Sequence, residues 1–136
     1  MTYVLDASAM IALFKNEEGA DIIDSLLVQA ADGECTVVMN KTNLLEVYYG
    51  FYREDGEAFA KEQIIAIEES HIKINDVMSD EIFKHAGRIK ASYSLSLADS
   101  ILLGQAITEN AIVVSSDHHE FETVERNENI KFLWFR

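Results

Sequence analysis

Thr2-Tyr3-Val4-Leu5-Asp6 and Ala111-Ile112-Val113-Val114-Ser115-Ser116-Asp117 decide the fold of this 136-residue chain. Each is a short apolar run of strand-forming residues that stops at polar residues and an acid, so it reads as a buried strand. Asp6 and Asp117 then stand just past the carboxyl ends of their strands, the edge where open α/β sheets place ligands. Working outward, strand-like runs at 2-5, 35-39, 71-74, 111-115 and 130-134 alternate with helix-like stripes at 7-15, 19-31, 41-53, 56-69, 79-92 and 97-109, plus a short helical turn near 118-122. That alternation is the pattern of an α/β fold built on a five-stranded, mainly parallel sheet. The helix at 79-92 carries Ile82, Phe83, Ala86 and Ile89 as a core stripe. Gly19, Gly33 and Gly56 punctuate element ends, and with no proline in the chain the turns fall to Gly, Asn, Asp and Ser.

Composition narrows the class. At 136 residues and 49% hydrophobic content the chain suits one domain, 1-136, with a real core. No stretch approaches the ~20 apolar residues of a membrane span, and the start Met1-Thr2-Tyr3 lacks a basic-then-apolar leader, so a soluble cytoplasmic protein is expected, with no membrane partner. The single Cys35 lies in an apolar run and reads as a small core residue in a reducing compartment. The formal charge of -13 is awkward for a nucleic-acid binder, which usually carries a basic face. Neutralising four carboxylates still leaves -9, so nucleic-acid chemistry here has to rest on a metal and a local group of Lys and Arg.

Two further acids join Asp6 and Asp117. Glu46 and Asp99 lie in helices that begin after the polar segments Asn40-Lys41-Thr42-Asn43 and Ser94-Leu95-Ser96. Each acid also has a plain structural reading. Asp6 suits an N-cap, Glu46 a solvated helical position, Asp99 the third residue of a capping box begun by Ser96, and Asp117 a loop of turn formers. Against those readings, Glu46 lies on a narrow polar lane with Thr42, Asn43, Tyr49 and Gly50 through an otherwise apolar helix. Gly50 costs about 1 kcal/mol relative to Ala there, which suggests close approach of another chain or a substrate. Asp99 is surrounded by Leu97, Ala98, Ile101, Leu102 and Leu103, and a carboxylate so placed needs a partner or a metal. If all four acids converge, unit charges about 4 Å apart repel by roughly 4 kcal/mol at an effective dielectric near 20. A hard, oxygen-seeking Mg²⁺ or Mn²⁺ resolves the conflict. His118 and His119 do not make a zinc site, because adjacent residues lack the i, i+4 geometry of a helical pair and no Cys is near.

Val4-Leu5-Asp6-Ala7-Ser8-Ala9, Asn43-Leu44-Leu45-Glu46-Val47, Ser96-Leu97-Ala98-Asp99-Ser100 and Val113-Val114-Ser115-Ser116-Asp117 with Phe121, in that order, resemble the PIN-domain nucleases and among them the VapC-type toxins of toxin-antitoxin pairs. The resemblance covers essentially the whole chain. It implies a three-layer α/β/α sandwich and metal-dependent endoribonuclease activity that leaves a 5′-phosphate and a 3′-hydroxyl. Asp6, Glu46, Asp99 and Asp117 would be the catalytic metal ligands, with Ser8 and Asn43 supporting them or touching substrate. Ser115 and Ser116 stand where the family often has a Thr, which leaves the hydroxyl's role open. Lys15, Lys41 and Arg53 are candidate phosphate contacts. The implied partners are RNA, a cognate antitoxin suited to Tyr48-Tyr49-Gly50-Phe51-Tyr52, and a second copy of the chain in a homodimer.

Two alternatives stay open: an RNA-processing PIN nuclease without antitoxin, and a non-catalytic PIN-like module that binds RNA or protein. A phosphoryl-transfer enzyme with a nucleophilic Asp6 is disfavoured, because such sites usually place a second acid two residues on, where this chain has Ser8.

Overall fold

Side-chain alternation along the strands sorts the helices into two layers. The computed structural model describes all residues from Met1 to Arg136. It holds β1 (Thr2–Leu5), α1 (Ala7–Phe14), α2 (Ala20–Ala31), β2 (Thr36–Asn40), α3 (Lys41–Asp55), α4 (Glu57–Glu68), β3 (Ile72–Asn75), α5 (Asp80–Ser92), α6 (Leu97–Glu109), β4 (Ile112–Ser115), α7 (His118–Asn127) and β5 (Phe132–Trp134). Leu5, Val37, Met39 and Val114 point to one face and meet Met10, Ile23, Leu44, Val47, Phe51 and Ile67 from α1–α4. Val4, Val38 and Val113 point to the other and meet Ile89, Leu102, Leu103, Phe121 and Val124 from α5–α7. Successive strand residues face opposite ways, so both faces are apolar and both are covered. The result is the expected three-layer sandwich.

All five strands are parallel, in the order β3-β2-β1-β4-β5. From central β1 the chain winds outward through β2 and β3, then returns to lay β4 and β5 on the other side. The strand order therefore reverses beside β1, and the crevice beyond the carboxyl ends of β1 and β4 is where such sheets hold ligands. No helix is long and apolar enough to cross a membrane.

Differences from the sequence reading are local. The helix after β4 is not a short turn but runs ten residues, because Phe121 and Val124 supply a buried stripe three residues apart. Phe83 is 64% exposed and leaves the α5 stripe to Ile82, Ala86 and Ile89, since the next residue on a helix lies about 100° round from the last. Cys35 is half-buried against the first core, its thiol donating to the Leu26 carbonyl at 3.6 Å. Tyr48-Tyr49-Gly50-Phe51-Tyr52 divides, with Phe51 buried and Tyr49 and Tyr52 exposed.

Two glycines behave oppositely. A Cβ on Gly104 would lie 2.9 Å from both the Ala86 nitrogen and the Ile82 carbonyl oxygen, so α5 and α6 meet there backbone to backbone. A Cβ on Gly50 would meet nothing within 4 Å, so no part of this chain makes the close approach that a glycine permits. Gly104→Ala should therefore destabilise the fold by about 1–3 kcal/mol as the helices are forced apart. Gly50→Ala should stabilise it by about 1 kcal/mol through helix propensity. Equilibrium urea unfolding of the two variants reads both signs, and a stabilised Gly104→Ala would refute the helix contact.

Candidate active site

Asp6 is the deepest acid, 3% exposed at the end of the central strand. It does cap α1: Oδ1 accepts the Ala9 N–H at 3.0 Å and the Ser8 hydroxyl at 2.6 Å, while Oδ2 accepts the Ser115 hydroxyl. Burial still dominates and pushes its carboxyl up to about 6, the three hydrogen bonds lowering it and Asp117 adding to the rise. Ser115 is fully buried and its oxygen also accepts the Asp117 N–H at 3.0 Å, so one hydroxyl fixes two acids. Ser116 donates to Ser8 at 3.3 Å, extending the same network by one link. The two serines in the place of the family's Thr are thus both used as donors.

A second relay orients Glu46. Asn40, the last residue of β2, accepts the Asn43 N–H at 2.9 Å as N-cap of α3 and donates its amide to Asn43 Oδ1 at 2.6 Å. Asn43, fully buried, donates in turn to Glu46 Oε1 at 3.1 Å. The sequence places Asn43 beside Glu46 and marks Asn40 only as punctuation. The signal was present, because an Asn at a strand end with a polar residue three positions on is a cap pattern.

Asp99 decides between cap and site. Ser96 caps α6 by accepting the Asp99 N–H at 3.1 Å. The reciprocal bond of a capping box, from the Ser96 N–H to the Asp99 carboxylate, is not formed, so the box is left open and, within it, only the Ser96 hydroxyl acts on the carboxylate. Burial pushes it up to about 6; Ser96 lowers it, and Glu46, Asp117 and Glu120 raise it by repulsion. Asp117 is N-cap of α7 yet makes no side-chain cap bond. Burial and then Glu120 raise its pKa, while Arg136 and His118 pull it down.

The four expected acids thus lie in a series along one edge, Asp117 acting on both Asp6 and Asp99 and Glu46 acting on Asp99, with Glu120 as a fifth that the sequence reading passed over. Its spacing of three residues from Asp117 on a helix start puts both on one face. No three of the acidic or histidine side chains converge closely enough to hold a metal ion in the conformation seen. The donor chemistry nonetheless fits a hard divalent cation, being all carboxylate oxygen under mutual repulsion.

None of the expected cations bonds to an acid of this set. Lys15 pairs with Glu54 at 2.7 Å, Arg53 lies over the Tyr49 ring at 5.3 Å, and Lys41 is exposed at the first position of α3. The cation that does act on the site is Arg136, 19 residues after Asp117 in sequence, which no local pattern announces. A cavity of about 720 Å³ opens at the opposite edge of the sheet between Met1, Thr2, Asn110 and Lys131, away from the acids.

The chain belongs to the PIN-domain family, whose sequence profile matches residues 3–127. No curated protein sequence matches it. Among solved structures it is similar to VapBC2 of Rickettsia felis bound to a DNA fragment from its promoter, at 18% identity over 98% of each chain with a TM-score of 0.76. It is also similar to DNA-bound VapBC of Salmonella typhimurium, at 17% identity over 100% of this chain and 99% of that one, TM-score 0.74. A third likeness is to VapC20 of Mycobacterium tuberculosis, a sarcin-ricin loop cleaving toxin, at 12% identity over 82% and 86% of the two chains, TM-score 0.63. At these identities the likeness is one of fold.

The raised carboxyls carry a pH signature. In the metal-free fold Asp6 and Asp99 take up protons near pH 6, whereas unfolded they do so near the ordinary 3.8. Between those values the native state binds more protons, so its stability falls as pH rises. Melting temperature in EDTA should therefore rise as pH drops from about 7 to about 5, and Asp99→Asn should flatten the rise. An unchanged slope in Asp99→Asn would mean that Asp99 is an ordinary solvated acid.

Proposed function

We propose that the chain is a metal-dependent endoribonuclease acting as the toxin of a toxin-antitoxin pair, with residues 1–136 working as one PIN-like unit in the cytoplasm. The observation that carries this reading is the set of four acids at the carboxyl edge of the sheet, two of them with carboxyls near 6, in a member of the PIN-domain family. Asp6, Glu46, Asp99 and Asp117 would hold Mg²⁺ or Mn²⁺. When bound, the ion would polarise a scissile phosphodiester and lower the pKa of an attacking water. The chain's own residues do the positioning: Ser115 and Ser8 fix Asp6 by hydrogen bonds, and Asn40 and Asn43 hold Glu46. Lys41 is free to meet a substrate phosphate, while Lys15 and Arg53 would first have to leave Glu54 and Tyr49. The fold likeness to VapBC proteins supports an antitoxin partner. Exposed Leu45, Tyr49, Tyr52, Phe59 and Ile65 on α3 and α4 support a homodimer or a partner seated on those helices.

The purified chain should cleave single-stranded or looped RNA with Mg²⁺ or Mn²⁺ and stop in EDTA. Asp6→Asn, Glu46→Gln and Asp99→Asn should each abolish cleavage, and double variants should be no worse, because the acids act as a unit. Near-normal turnover by Asp99→Asn would refute the assignment.

Stability offers an independent reading. In EDTA, Asp99→Asn should melt at or above the wild-type temperature, since it removes repulsion. In saturating Mn²⁺ the order should reverse, the wild type gaining about 2.7 kcal/mol at one hundred times the dissociation constant. Equal losses in both buffers would make Asp99 structural.

A further inference from the structure

Beside the acids stands a column of rings whose outermost member the core does not need. Phe132 and Trp134 on β5 stack with centroids 4.9 Å apart and planes within 3°, and His118 stacks on Trp134 at 4.1 Å and 23°. The inner two rings are half-buried and packed against the second core. His118 is exposed, and Trp134 is its one aromatic neighbour. Both outer rings are also pinned at their edges. Trp134 Nε1 donates to Glu125 at 2.9 Å, and His118 Nε2 meets the main-chain oxygen of Arg136 at 2.7 Å. That oxygen can only accept, so the nitrogen carries the proton and the ring is held in one orientation. His118 is therefore a planar surface with one face backed by tryptophan, held still before any ligand arrives, on the residue next to Asp117.

We propose that His118 is the outer layer of a stacking platform that receives a nucleobase of single-stranded RNA beside the scissile phosphate. The proposal rests on the endoribonuclease reading and adds to it the group that positions the substrate. Every base offers a π-face, and unstacked RNA bases settle on aromatic side chains, histidine among them. A chain of net charge -13 gains little from the phosphate backbone at long range, so a stacking contact next to the reacting centre is the kind that remains. Because the ring is already fixed, little rotamer freedom is lost when a base lands on it. Stacking also tolerates any base, so the platform would hold a strand in register without choosing its sequence.

The test uses the intact chain, Mn²⁺ and a fluorescein-labelled single-stranded RNA oligonucleotide whose cut site has been mapped. His118→Gln keeps a donor for the Arg136 main-chain oxygen and a cover on Trp134 but removes the ring. It should raise KM roughly ten-fold, in line with the worth of one stacked base, and change kcat less than about two-fold. His118→Phe keeps the stacking face on Trp134 but loses the bond to Arg136, so it should recover most of the KM loss and stay slightly above the wild type. Removing the base next to the cut site with an abasic nucleotide should raise KM for the wild type by a similar factor and add nothing further in His118→Gln. Trp134 is the sole tryptophan, so its emission checks that the inner layers survive in each variant. If they do not, the abasic substrate on the wild type decides alone. A wild type that cuts RNA while His118→Gln keeps a normal KM, or an abasic substrate that binds as well as the intact one, overturns the platform and leaves the nuclease standing. A wild type that neither binds nor cuts single-stranded RNA overturns both.

Discussion

Burying Asp6 at the tip of the central strand is the constraint around which the rest of this edge is arranged. β1 lies between β2 and β4, so a side chain at its end is walled in on both sides. A carboxylate there loses its water, and an ionised group so placed is costly unless donors replace that water. The fold supplies three, from Ser8, Ala9 and Ser115. Meeting that demand explains why Ser115, at the end of a buried strand, is polar at all, and why β4 must pair with β1 in the register Leu5 to Val114 that brings Ser115 beside Asp6. A slip of one residue would turn the hydroxyl to the other face.

Helix caps contribute to the same end by an indirect route. Each helix that carries an acid here must also satisfy the free N–H groups of its first turn. α3 and α6 give that task to Asn40 and Ser96, so Glu46 and Asp99 are not consumed by it. α7 leaves Asp117 without a cap bond altogether. Only α1 uses its acid both ways, and there the single oxygen Oδ1 does the capping while Oδ2 is held by Ser115. Glu46, Asp99, Asp117 and Glu120 are therefore left to repel one another, which adds to the rise that burial already imposes on the Asp99 and Asp117 carboxyls.

How much of this was legible in the sequence follows from the range of the interactions involved. Strand runs such as Tyr3-Val4-Leu5 and Ile112-Val113-Val114 state their burial through composition alone, so the element order and the positions of Asp6 and Asp117 could be read directly. The caps could be read because they span three residues. What could not be read was long-range. Nothing near Glu54 announces that it takes Lys15 out of play, and nothing near Arg136 announces that its field reaches Asp117. The His118 and Trp134 stack joins residues 16 positions apart through the pairing of β4 with β5, which only the folded sheet supplies. Phe83 misled because an apolar residue beside a stripe looks like part of it until the helix is docked against α6.

The acidic surface changes meaning once its pairings are seen. Of eleven Lys and Arg residues, six are engaged in ion pairs, those of Lys15, Lys61, Lys84, Arg88, Arg126 and Arg136. Most of these pairs are solvent-exposed and contribute little to stability, but each lowers the positive charge offered to a polyanion. The chain thus has no broad basic face with which to capture RNA at a distance. On the proposed reading, recognition is concentrated where the acids stand: a cation held by carboxylates for the phosphate, and aromatic surface for a base. That division makes binding depend on the metal more steeply than on salt, since the salt slope scales with the number of phosphates that protein cations neutralise. It also leaves the exposed aromatic and aliphatic residues of α3 and α4 without a role in gripping RNA.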